Sequence, residues 1–225
     1  MNKDTYEMLE AYMRSCMKDS AHDREHIYRV LYVALDIAKT ESQVDYDVLI
    51  CACLLHDIGR QEQIENQELS HAQVGAEKAG RFLREHSFAA EFADRVSECI
   101  RAHSYRANHA PRSIESKILF DADKIDVAGA MGIARTLMYQ GRVCEPLYQV
   151  NPDGLVSDGQ NDKNPSFFQE YKYKLENIYD KFFTVRGTEI ASQRRQAAVD
   201  FYNSILAEVH GSYQCGRKHL AEIME

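Results

Sequence analysis

The sequence predicts an all-α protein. Apolar residues recur at intervals of three and four along most of the chain. No stretch alternates apolar and polar residues as a half-buried strand would, and no segment repeats another. Tyr6, Leu9, Met13, Cys16 and Met17 keep the helical spacing and predict a first helix. The polar run Ser20-Ala21-His22-Asp23-Arg24-Glu25-His26 suits a helix start. It feeds Ile27, Val30, Leu31, Ala34, Ile37 and Ala38, a stripe with the helical period. His26 precedes that stripe by one residue and lies one turn from Val30, so its ring can face inward.

Residues 48–55, Val-Leu-Ile-Cys-Ala-Cys-Leu-Leu, are apolar on nearly every side of a helix. Such a helix is predicted to be buried, with its last turn carrying His56 and Asp57 into the interior. Gly59 is expected in the left-handed conformation that closes a helix. Ser70 and Gln73 have capping-box spacing and open a helix with Val74, Ala76, Ala79, Phe82 and Leu83. Residues 88–103 repeat the pattern through Phe92, Val96, Cys99 and Ile100. Pro111 precedes a helix from Ile114 to Ile125, and another is expected over 127–139.

Residues 140–166 break the pattern with Gly141, Pro146, Pro152, Gly154, Gly159 and Pro165. A loop this long inside a domain is a functional lid or a disordered connection. Tyr148 is its aromatic candidate for touching a planar group. One helical stripe then links Phe167, Phe168, Tyr171, Leu175, Ile178 and Phe182. A second holds Ile190, Ala197, Val199, Phe201, Ile205 and Leu206, and residues beyond 210 read as peripheral. The expected organisation is one domain over 1–225. Its core covers about 20–140, its lid-like loop about 140–166 and its C-terminal helices about 167–210.

Composition bounds the function. Hydrophobic residues make up 44% and charged residues 28% of the 225, the balance of a soluble globular protein. A net charge of -8 argues against a broad nucleic-acid or anionic-membrane surface, and no apolar run is long enough for a membrane span. The first residues lead into no secretory apolar region. Cysteines 16, 51, 53, 99, 144 and 215 are scattered without a CxxC pair, as reduced residues of a cytoplasmic protein would be.

The chemistry starts at His56-Asp57. A neutral imidazole beside a carboxylate can chelate a divalent cation, and a hydrogen-bonded pair at a helix end fits the dipeptide as well. His26 and the acidic cluster Asp121-Ala122-Asp123-Lys124 supply more donors from other helices. Histidine with carboxylate suits Mn, Fe, Co, Ni or Zn better than calcium. Asp123 and Asp126 share a helix face and Asp121 lies on another. Asp123 adjoins the apolar side marked by Ile118, Leu119, Ala122 and Ile125. His22 and His26 have zinc-peptidase spacing, but Asp23 stands where that motif needs Glu.

Together these motifs resemble the HD-domain superfamily of metal-dependent phosphohydrolases, and closer still its bacterial YedJ-like branch. The carriers are His22-Asp23-x-x-His26-Ile27-x-Arg29-Val30, Leu54-Leu55-His56-Asp57-Ile58-Gly59 and His71-Ala72-x-x-Gly75-Ala76. Ile100-x-x-His103-Ser104, Lys117-Ile118-Leu119-x-Asp121-Ala122-Asp123-Lys124-Ile125-Asp126 and Gly129-Ala130-x-Gly132-Ile133-Ala134-Arg135 continue it. The resemblance implies a single HD-type helical bundle with a C-terminal helical extension. It implies a divalent ion on His26, His56, Asp57 and Asp123, with Asp121 the fallback for the last ligand. Mn is the expected metal, ahead of Co, Ni, Fe, Mg and Zn. Asp57 would also orient the attacking water, and Lys124 would meet a phosphate oxygen or the leaving group.

Arg29 and Arg60 are candidate phosphate ligands, since guanidinium forks onto phosphate, although Arg29 fits a structural ion pair equally. His71 and His103 stand where two-metal members add histidines. They would bind a second metal or the substrate phosphates, and the substrate is the preferred expectation. The implied function is hydrolysis of a nucleotide or other small phosphate ester, with pyrophosphate release from a nucleoside triphosphate first. A cyclic-nucleotide phosphodiesterase and a non-catalytic nucleotide sensor are the alternatives. The complete ligand set and the lack of an appended signalling domain favour the enzyme.

Overall fold

The structure is a computed structural model that describes residues 1–17, 24–104 and 110–225. The expected helix start at 20–23, with His22 and Asp23, lies outside the described residues. The described residues are all-α, their one trace of β structure being an isolated bridge between Val150 and Val156. No helix among them is long and apolar enough to cross a membrane. They pack as two compact units, Met1–Asp126 with Phe182–Thr188 and Val127–Lys181 with Glu189–Glu225.

The first unit is built around α3 (Tyr46–Leu55). This helix packs on α1 (Lys3–Cys16), α2 (Arg24–Ala38), α6 (Ala90–Ala102) and α7 (Ile114–Ile125). Val48, Leu49, Cys51, Ala52, Cys53, Leu54 and Leu55 are all fully buried, as a helix apolar on every side must be. Each such leucine contributes about 1.5–3 kcal/mol by leaving water. Asp45 starts the helix by accepting hydrogen bonds from the Asp47 and Val48 amides. Its other end runs through His56, still right-handed, into a tight turn before α4 (Arg60–Glu65). Lys78, from α5 (His71–Glu85), pins that turn by donating to the Ile58 carbonyl at 2.8 Å and to Glu62 at 2.6 Å.

Two local expectations change in detail. Gly59 is not left-handed: its φ is -95°. It is needed for close approach instead, because a Cβ there would lie 2.3 Å from the His71 carbonyl oxygen and 2.6 Å from the Gly75 nitrogen. Ser70 does cap α5, its hydroxyl accepting from the Gln73 amide at 3.4 Å. The reciprocal half of the capping box is absent, since the Gln73 side chain bonds Glu77 and Arg101 instead.

The second unit holds α8 (Gly129–Arg142), α9 (Phe167–Tyr173), a 3₁₀ turn (Leu175–Asn177) and most of α10 (Val185–Met224). Its core gathers Ile133, Val156, Phe167, Phe168, Tyr171, Leu175, Ala198 and Tyr202, with Tyr171 and Tyr202 stacked at 4.0 Å. The stripe expected from Phe167 to Phe182 breaks after Tyr173, where the Asn177 side chain donates to the Lys172 carbonyl freed at the helix end. Tyr148, the loop's candidate for a planar ligand, packs on Phe168 and Tyr213 within the unit. The last helix does not stop near 210 but continues to Met224.

Gly59→Ala tests the close approach. Both obstructing atoms are backbone, so overpacking should cost about 1–3 kcal/mol and lower the Tm by roughly 2–12 °C. Thermal unfolding followed by circular dichroism reads it, and an unchanged Tm would contradict the packing described.

Candidate metal centre

Five helix ends in the first unit bring their polar residues together. His26 lies in the first turn of α2, and His56 and Asp57 follow α3 directly. His71 opens α5, His103 follows α6, and Asp123 and Lys124 lie in the last turn of α7. His26, His56, Asp57, His71, His103 and Asp123 are all buried, none more than 8% exposed.

Each histidine is anchored through Nδ1. His56 donates to the Cys53 carbonyl at 2.8 Å and His103 to the Ile100 carbonyl at 2.6 Å. Both acceptors are carbonyls of the last helical turn, where the ladder of backbone hydrogen bonds runs out, and the Ile100 carbonyl also accepts from the His103 amide at 3.4 Å. His71 donates to Gln63 Oε1 at 2.9 Å, and His26 to Asp126 Oδ2 at 2.7 Å. Gln63 is itself oriented by its Nε2 donating to the Leu69 carbonyl at 3.1 Å.

These anchors turn every Nε2 inward. His26 Nε2 lies 3.3 Å from His56 Nε2, and His71 Nε2 lies 3.2 Å from His103 Nε2. With neutral rings protonated at Nδ1, each pair sets lone pair against lone pair, an arrangement that a cation between them relieves. The carboxylates complete two donor trios, His26 with His56 and Asp123, and His71 with His103 and Asp57. Within each trio the donor atoms lie within 4.8 Å of one another. Asp57 touches both: Oδ2 is 3.7 Å from His26 Nε2 and 3.9 Å from His56 Nε2. Its Oδ1 is 3.8 Å from His71 Nε2 and 3.6 Å from His103 Nε2. This mix of imidazole and carboxylate fits a borderline divalent ion.

The electrostatics follow from burial. Burial pushes His56 down to about 4 and His71 down to about 3, despite Asp57 beside them. Burial alone would raise Asp57, but Arg60, His56, His103 and His71 outweigh it and hold the carboxyl well below its ordinary value. Asp123 is held low against its burial in the same way by Lys124, His26 and His103.

The other expected residues divide by position. Arg60 Nε donates to Asp57 Oδ1 at 2.9 Å, and Lys124 Nζ bonds Asp123 Oδ2 at 2.8 Å and the His103 carbonyl at 3.3 Å. Arg29 forks onto Asp126 at 2.7 and 3.1 Å, the ion-pair alternative for that residue. Asp121 stands apart from both trios. Its carboxylate accepts from the Phe183 amide and from the Thr184 amide and hydroxyl. Gln63 carried no signal in the sequence, and Asp126 was legible only as sharing a face with Asp123.

Comparison with known proteins agrees with this geometry. Residues 24–128 match the HD domain family. The uncharacterized protein YpgQ of Bacillus subtilis is 28% identical over 211 residues, spanning 91% of this chain and 94% of that one. The crystal structure of YpgQ in complex with ADP superposes with a TM-score of 0.71 at 26% identity, covering 92% of this chain and 98% of that one. A predicted HD superfamily hydrolase from an uncultured Thermotogales bacterium gives a TM-score of 0.61 at 29% identity, over 90% of this chain and 91% of that one.

The depressed histidines set a pH dependence for the metal-stripped protein. In the unfolded chain both rings take up a proton near pH 6.5, but folded His56 and His71 resist it until about 4 and about 3. Their contribution is therefore full above pH 6.5 and lost as pH falls toward those values. At pH 5 each costs about 2 kcal/mol, so the Tm should drop by roughly 10 °C between pH 7 and pH 5. Calorimetry across that range checks it, and a flat Tm would show that the rings are not buried neutral.

Proposed function

We infer that the chain is a member of the HD-domain superfamily, a reading supported by the match of residues 24–128 to that family, and on that footing we propose a metal-dependent phosphohydrolase acting on nucleotides. The observation that carries the proposal is Asp57, whose two oxygens each face one pair of imidazole nitrogens. His26, His56, Asp57 and Asp123 would hold one divalent ion. His71 and His103, expected against substrate phosphates, would with Asp57 hold a second. Manganese is the proposed metal. Bound divalent ions supply Lewis acidity at a phosphoryl oxygen and lower the pKa of an attacking water.

The chain's own residues do the rest. The buried Asp57 carboxylate stays ionised and orients the water. Lys124 presents a partly buried ammonium beside Asp123, where it neutralises a phosphate oxygen or the leaving group. Arg60 spends its Nε on Asp57 and reaches Gln63 through Nη1 at 3.4 Å, and its Nη2 would meet a phosphate. Arg29 is committed to Asp126 and supports the site from behind. The ADP held by YpgQ supports a nucleotide substrate. Release of pyrophosphate from a nucleoside triphosphate is the reaction proposed first. The six cysteines, none in a disulfide, support a cytoplasmic location.

The test uses metal-stripped protein with Mn, Co, Ni, Mg or Zn restored. It is offered nucleoside tri-, di- and monophosphates and cyclic nucleotides, and the products are separated by chromatography. Turnover that needs added metal, with Asp57→Ala slower by about a thousandfold, is expected. Under saturating Mn the metal content should be two ions per chain, falling to one in His71→Ala. One ion in the parent would return His71 and His103 to the substrate. Nucleotide binding without product would make the protein a sensor.

A further inference from the structure

Behind the metal-facing histidines lie four different acceptors. His56 and His103 lean on carbonyls of their own helices, and His71 leans on the neutral amide of Gln63. Only His26, of these four, has a carboxylate at Nδ1, that of Asp126 at 2.7 Å. Asp126 is 3% exposed, so its orientation is set by the protein. Arg29 sets it, donating from Nε to Oδ1 at 2.7 Å and from Nη2 to Oδ2 at 3.1 Å. Arg29 and His26 come from successive parts of α2, and Asp126 follows α7.

We propose that Asp126, held by the Arg29 fork, is a positioning residue for His26, fixing the proton on Nδ1 and leaving Nε2 bare, its lone pair a strengthened metal ligand on the side of Asp123 and His56. The inference rests on the metal-binding reading above. A carboxylate behind a ligating imidazole fixes its tautomer and orientation and raises its basicity. The arrangement assigns different characters to the two trios. The first combines two histidines and Asp123 with the carboxylate-backed ring. The second relies on neutral acceptors behind both of its rings. The first trio is therefore the tighter of the two.

The critical variant is Asp126→Asn. Its amide can donate to His26 Nδ1 and so move the ring proton to Nε2, the nitrogen that must be bare. Two measurements read the effect. Imidazole ¹⁵N NMR of the metal-stripped protein reports the His26 tautomer, and titration with Mn against a chromogenic chelator reports affinity at the tighter site. The parent should show the Nδ1–H form. Asp126→Asn should gain the Nε2–H form and bind Mn about 10- to 100-fold more weakly. Asp126→Glu, which keeps a carboxylate, should recover most of both, and Arg29→Gln should shift affinity in the same direction by less.

An Nε2–H tautomer in the parent overturns the proposal without any variant. So does Asp126→Asn with unchanged Mn affinity. A parent that binds no Mn overturns the metal reading together with it, whereas a parent that binds normally beside an unaltered Asp126→Asn overturns this inference alone. A role confined to stability would lower the Tm of the variant and leave the tautomer where it was.

Discussion

A carboxylate at the end of the most buried helix is the constraint around which the first unit is arranged. Asp57 is 1% exposed, and an ion so placed is stable only with compensation on every side. Arg60 gives it one strong hydrogen bond, and four imidazole nitrogens stand within 4 Å of its oxygens. The helix that delivers it has no polar face to turn outward, so the carboxylate cannot be relieved by rotating α3. The neighbours must come to it. The close backbone passage at Gly59 lets α5 bring His71, and the ends of α6 and α7 bring His103 and Asp123.

The same arrangement explains why three aspartates within one short stretch at the end of α7, two in the helix and Asp126 capping it, do three separate things. Asp123 faces the first histidine pair, Asp126 stands behind His26, and Asp121 turns to the segment Phe182–Thr188. A helix distributes neighbouring residues over different faces, and here each face meets a different element. None of the three is left to solvent, since all are buried.

Most of this was readable from the chain, with identifiable exceptions. The limits of α7 follow Pro111 and the Ile118–Ile125 spacing, because an amphipathic helix leaves a strong local signal, while the Ser113 side chain that caps it is seen only in the structure. The convergence of His26, His56, Asp57, His71, His103 and Asp123 was legible through the family resemblance, since periodicity places a residue on a helix but not one helix against another. The short α4 and its Gln63 left no pattern, as six residues are too few for a period. Gly59 was legible as important for the wrong reason: spacing predicts a closing turn, whereas the backbone contact with α5 is a long-range fact. Arg29 was open between phosphate and ion pair because either partner satisfies a guanidinium. Only the position of Asp126 distinguishes them. The extent of α10 past 210 reflects local helix propensity rather than burial, since Leu220, Ile223 and Met224 are exposed.

Asp121 carries a consequence for biosynthesis. Its carboxylate is fully buried, yet its partners at Thr184 lie 63 residues further along the chain. During translation at about 5–20 residues per second, the earlier helices exist for several seconds before those partners are made. In that interval α7 holds a carboxylate that is satisfied by water or protonated, and its final packing waits. The last step in completing the first unit is therefore tied to the arrival of Phe182–Thr188. A nascent chain released before that point would retain every proposed metal ligand and still lack the groups that close the end of α7.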